Sequence, residues 1–210
     1  MNSIEDLTSR LDAISNNGLA ADLNAFGCAT LNGILSPEQC DEVSRLYSED
    51  GPFRSHIHMA RHGFGKGEYK YFSYPLPDLV SVLREKMYPK LVPIANGWNE
   101  RMGLGHQFPA HHSDYIAKCH NAGQERPTPL LLQYGKNDFN CLHQDVYGDL
   151  LFPLQMAVLL SIPEQDFTGG EFVLTEQRPR MQSRAEVVSL NQGDAVVFAV
   201  RNRPVKGVKR

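Results

Sequence analysis

Four cysteines are too few and too scattered here to build anything together. Cys28, Cys40, Cys119 and Cys141 include no C-x-x-C pair, which excludes a zinc-knuckle framework and a thioredoxin-like motif. They are expected as reduced thiols of a cytoplasmic protein. No stretch approaches the ~20 consecutive apolar residues of a membrane span. The opening "MNSIEDLTSRLDAI" is acidic and amphipathic, with no basic leader, so neither a membrane nor a secretory role is expected. Internal repeats and low-complexity segments are also missing, which removes solenoids and disordered tails. Gly63-Phe64-Gly65-Lys66-Gly67 lacks the further glycine of a dinucleotide fingerprint and the Lys-Ser/Thr of a phosphate loop, so a hairpin or a loop beside a site is expected instead. The last absence bears most on function: of eight histidines, none follows His143.

What is present is ordinary for a folded domain. Hydrophobic residues make up 41% and charged residues 21% of 210 positions, enough for one buried core with a helical extension. The net charge of −3 is unevenly spread. Acidic residues crowd the first fifty positions and basic residues the last thirty, so the C-terminal region suits an anionic partner, nucleic acid included, or is solvated surface.

Spacing then sets the elements. Ile4, Leu7, Leu11 and Ile14 recur at three and four residues, a helix with one buried face that "NNG" is expected to end. "GCATLNGIL" reads as a strand, and Ser36-Pro37-Glu38 as a capped helix start. Leu79 to Met102 is a long amphipathic helix with Pro89 and Pro93 as sites for a kink, and Ala110 to His120 is a second helix. From Pro129 the pattern changes to short β-rich runs separated by Gly, Asn, Asp and Pro, which points to a sandwich or jelly roll.

"NCLHQDVYG" carries the chemistry. On a strand, His143 and Asp145 project from one face, and an imidazole with a carboxylate makes two of the three ligands of the non-heme Fe(II) facial triad. Two polar residues on one strand face give the same tripeptide. Around it stand "YGKNDFNCLH", "DFTGGEFVL" and "NQGDAVVF" in order. This series resembles the 2-oxoglutarate/Fe(II)-dependent dioxygenases, in particular the prolyl-4-hydroxylase-like group. The run "GGEFVLTEQRPRMQSRAEVVSLNQGDAVVFAV" is similar to a bacterial branch named for oxidative repair of damaged DNA.

The resemblance, which covers Pro129 onward, implies an α+β protein with a double-stranded β-helix (jelly roll) core and N-terminal helices packed on one face. Residues 1–128 form the mainly helical part and 129–210 the strands bearing H-x-D, within one structural domain. It implies Fe(II), 2-oxoglutarate and O2 as cofactor and cosubstrates, with nucleic acid, protein or a small molecule as substrate. His143 and Asp145 match the first two iron ligands. Tyr134 matches a tyrosine that hydrogen-bonds a 2-oxoglutarate carboxylate, or else is a strand-pairing tyrosine. Arg178, Arg180 and Arg184 are candidates for positioning an anionic substrate, or else are surface charge.

The departure is the third ligand. The family places a histidine after the Asp and then a basic anchor for 2-oxoglutarate, and this sequence has no such histidine. Closing strands are therefore expected to be missing and activity impaired. A non-catalytic jelly-roll module for an anionic partner and a vestigial oxygenase stay open. Upstream, His111 and His112 would point about 100° apart on a helix, whereas His56-x-His58 has strand spacing and can face one way.

Overall fold

A computed structural model describes residues 3–146, 148–177, 182–201 and 203–204. Helix α1 (Ser3–Asp12) turns Leu7 and Leu11 fully inward, as the three-and-four spacing requires. "NNG" does not close that region down: it opens a second helix, α2 (Asn16–Phe26), whose N-cap Ser15 accepts from the Gly18 amide. The physical reason is positional, since poor helix formers are tolerated in a capped first turn. Gly27, at φ 80°, ends α2 in the left-handed conformation that favours glycine. Helix α3 (Pro37–Arg45) starts with a full capping box, in which the Ser36 hydroxyl accepts from the Gln39 amide and the Gln39 side chain accepts from the Ser36 amide. Helix α4 (Asp78–Arg101) runs unbroken through Pro89 and Pro93 and carries the fully buried Trp98, whose indole donates to Asn24 Oδ1 at 2.8 Å. Helix α5 (His112–Asn121) packs Tyr115 beside Tyr88 of α4 and Phe152.

The strands form antiparallel sheets. Strand β1 (Cys28–Leu31) pairs with β10 (Ala195–Ala199), which also pairs with β7 (Leu154–Val158). A second sheet has the order β2 (Phe53–His58), β4 (Glu68–Phe72), β5 (Leu130–Gln133). The two-stranded pieces are β3 (Gly65–Lys66) with β6 (Phe139–Asn140), and β8 (Phe172–Glu176) with β9 (Arg184–Val188). Strands from the first half of the chain thus pair with strands from the second. The main core brings Leu7, Leu11 and Leu23 against Trp98 and Val197, so the N-terminal helices and β10 share one interior.

The expected strand over "NCLHQDV" is shorter than its pattern. Pairing stops at Asn140, and His143 and Asp145 lie in the irregular segment that follows. Among the described residues, no helix is long and apolar enough to cross a membrane.

Candidate functional site

The segment bearing His143 and Asp145 is anchored at its start by the β3–β6 pair. Gly65, at φ 122°, lies so close to β6 that a Cβ there would stand 2.2 Å from the Phe139 carbonyl oxygen. The Cys141 amide then donates to the Phe64 carbonyl at 2.8 Å. Beyond this anchor the chain makes its own bonds. His143 Nδ1 lies 2.8 Å from the Cys141 carbonyl oxygen. An acceptor there requires Nδ1 to carry the proton, which leaves the Nε2 lone pair free. Nε2 faces Asp145 Oδ1 at 3.4 Å, while Asp145 Oδ2 accepts from Gln155 Nε2 of β7 at 3.0 Å.

Each residue therefore has one polar atom held by the protein and one turned toward the other residue. This is the arrangement of metal-binding groups whose outer atoms are fixed by neighbouring hydrogen bonds. Donor atoms on a shared ion with bonds of ~2.0–2.2 Å stand roughly 3 Å apart, so the pair fits a divalent ion. His143 is half exposed and Asp145 a third.

The wall beside the pair is aromatic. Cross-strand register puts Tyr69 opposite Ile57 and Leu132, and Tyr71 opposite Ser55 and Leu130, on one face of the β2–β4–β5 sheet. Burial raises the Tyr69 phenol, and the Asp145 carboxylate raises it further. Tyr69 and Tyr71 meet edge to face at 5.5 Å, and the Arg54 guanidinium lies 4.4 Å over the Tyr71 ring while donating to the Pro127 carbonyl.

Of the other residues singled out in the sequence, Tyr134 stands between β5 and β6, its ring against Gly67. Burial raises its phenol, and a hydrogen bond with Asn140, three residues before His143, opposes that. Arg184 lies on β9 in a 3.0 Å ion pair with Glu186, and its charge acts on Cys28 of β1. Arg178 and Arg180 lie outside the described residues. The structure thus joins His143 to Asp145, links Tyr134 to the same strand connection, and sets Arg184 on the β8–β9 hairpin. Sequence reasoning missed Gln155, one residue in an otherwise apolar strand whose role appears only when β7 meets the loop.

The opposite face of the same sheet carries a second cluster. His58 is the cross-strand partner of Glu68, and His56 is that of Lys70. Glu68 Oε2 accepts from His56 Nε2 at 2.5 Å, and His58 Nδ1 lies 3.6 Å from Glu68 Oε1.

Residues 67–210 match the model of the Oxygenase-NA family, described as an oxygenase catalysing oxidative methylation of damaged DNA. The chain belongs to this family, and the resemblance to 2-oxoglutarate/Fe(II) oxygenases read from its motifs stands. Two uncharacterised Mycobacterium tuberculosis proteins, from strains CDC 1551 and H37Rv, are each 51% identical over 135 residues. That match covers 64% of this chain and 58% of each relative, so the chain spans little more than half the length of the curated relatives it matches. Among solved structures, a prolyl-4-hydroxylase of Pseudomonas putida is similar in fold, with a TM-score of 0.53 at 15% identity over 89% of this chain and 86% of that one.

Proposed function

We propose that this chain is a 2-oxoglutarate- and Fe(II)-dependent dioxygenase that hydroxylates or oxidatively demethylates its substrate, with damaged DNA as the substrate class. His143 and Asp145 are the iron ligands it contributes. One observation carries the reading: His143 Nε2 and Asp145 Oδ1 face each other at 3.4 Å while the other polar atom of each is held by Cys141 and Gln155. Family membership and the shared fold support it. The antiparallel sheets are read as parts of a double-stranded β-helix, with the helices of residues 1–128 packed on the strands of 129–210 in one domain.

When bound, Fe(II) supplies the chemistry that couples O2 and 2-oxoglutarate to oxidation of a C–H bond. The chain's own residues prepare for it. The Cys141 carbonyl holds the proton on Nδ1 of His143, so that Nε2 is offered as a neutral donor. Gln155 fixes the rotamer of Asp145 by donating to Oδ2. Tyr69, Tyr71 and Leu132 make a partly apolar wall that limits water beside the pair. Tyr134 hydrogen-bonds a carboxylate of 2-oxoglutarate, and the basic residues Arg178, Arg180 and Arg184 meet an anionic substrate.

The basic residues of the C-terminal region favour one second reading: a jelly-roll module that binds an anionic partner without turnover. Anaerobic titration with Fe(II) and 2-oxoglutarate separates the two. A visible charge-transfer band that His143→Ala abolishes supports the dioxygenase. A folded chain with no band, whose nucleic-acid binding falls steeply with salt, supports the module.

A further inference from the structure

The proposed function makes no use of the His56–His58–Glu68 cluster, which β2 and β4 carry rather than the segment that follows β6. Glu68 and Tyr69 are adjacent on β4 and project to opposite faces. Asp145 acts on the phenol of Tyr69, which projects away from the cluster.

The cluster has the attributes of a binding site. His56 and His58 are two apart on β2 and share a face, with ring centroids 4.5 Å apart. Glu68 comes from the neighbouring strand in register with His58. One ligand atom from each residue lies within 4.8 Å of the other two. Two neutral imidazoles and one carboxylate are the donor set of zinc sites that keep an open position, and of non-heme iron sites. All three side chains are a little over a third exposed, so small rotations bring the donors to the roughly 3 Å separation that bonds of ~2.0–2.2 Å require.

An independent observation points at the same spot. The Tyr47 hydroxyl is buried and makes no hydrogen bond of regular geometry, yet its ring stands edge-on to His56 at 6.3 Å. That hydroxyl, beside Glu68, is placed to orient the carboxylate, the role outer hydrogen bonds play around metal ligands. Lys70, the nearest cation by register, has its ammonium engaged by the Tyr47 carbonyl at 2.9 Å and by Asp50 at 3.6 Å.

We propose that His56, His58 and Glu68 bind a divalent transition ion of the zinc–iron class, at a site on the face of the β2–β4–β5 sheet opposite Tyr69 and Tyr71. The proposal does not depend on the dioxygenase reading, because it concerns different residues.

The test uses the full chain with the other pair removed, His143→Ala with Asp145→Ala, titrated with Co(II) and followed by visible absorption. The expected result is one equivalent bound. Outer hydrogen-bond losses alone cost ~10–100-fold in metal affinity, so removing a ligand with His58→Ala should weaken binding by at least about 100-fold. Glu68→Gln, which keeps size and hydrogen bonding, should weaken binding in the same direction and serves where His58→Ala perturbs folding. A folded double variant that binds no Co(II) overturns the proposal. So does bound Co(II) whose affinity neither substitution changes.

Discussion

Asp194 offers a quantitative test of how β10 is held, because its buried carboxylate serves two segments distant in sequence. Oδ1 accepts from the Gly33 amide at 2.7 Å, and Oδ2 accepts from the Asn191 amide at 2.8 Å and the Asn191 side chain at 3.3 Å. Hydrogen bonds to a charged group contribute about 1.5–3 kcal/mol each. Two short bonds lost together should therefore cost about 3–5 kcal/mol in Asp194→Ala. That is a large share of a total of about 5–15 kcal/mol. With a urea slope of about 2 kcal/mol/M, the midpoint should fall by about 1.5–2.5 M. Asp194→Asn should lose roughly half as much, since its remaining oxygen satisfies one segment while its amide group confronts the other. Paired urea titrations by circular dichroism provide the assay. A fall of less than about 0.5 M for Asp194→Ala, with an unchanged slope, would refute the idea that this carboxylate ties the two segments together.

Three further outcomes are expected. Gln155→Ala should weaken Fe(II) binding about 10–100-fold in anaerobic titration with little change in melting temperature, because only the hydrogen bond to Asp145 is removed. Gly65→Ala should destabilise the protein by about 1–3 kcal/mol for the left-handed backbone alone, with more from the approach to the Phe139 carbonyl. Hydrogen exchange at the Cys141 amide should accelerate with it. Burial lowers the pKa of His112 below its ordinary 6.5, so the unfolded chain takes up a proton first as pH falls. Stability should then decline just below pH 6.5 and level off once the folded state also titrates. In His112→Gln, the dependence of the urea midpoint on pH should be flatter across that window.

Much of the fold was legible because local rules decided it. The 3-4 spacing of α1 and the Ser36 cap of α3 need no tertiary information. The Asn-Asn-Gly stretch was misread because a cap one residue earlier changes what those residues mean, turning a stop into a first turn. The H-x-D motif does not form the strand that its pattern suggests. Its polar atoms find partners at Cys141 and Gln155, and the ladder ends at Asn140. Glu68 carries no signal beside His56-x-His58 in the sequence, because only the β2–β4 register brings it across. Gln155 is the same case over a longer reach, a single amide in an apolar strand until β7 is laid beside the loop.

The pairing of β1 with β10 has a consequence for how the protein is made. β10 is the middle strand of its sheet, yet it follows β1 by most of the described chain, and the Gly33–Asp194 bond joins residues 161 positions apart. At ~5–20 residues per second, a ribosome needs roughly ten to thirty seconds to travel from one to the other. For that interval α1, α2 and β1 are out of the tunnel with the apolar surface meant for Val197 uncovered. The N-terminal segment must wait as a local helical cluster for the strand that completes its interior, and that wait is the stage of synthesis most exposed to misassembly.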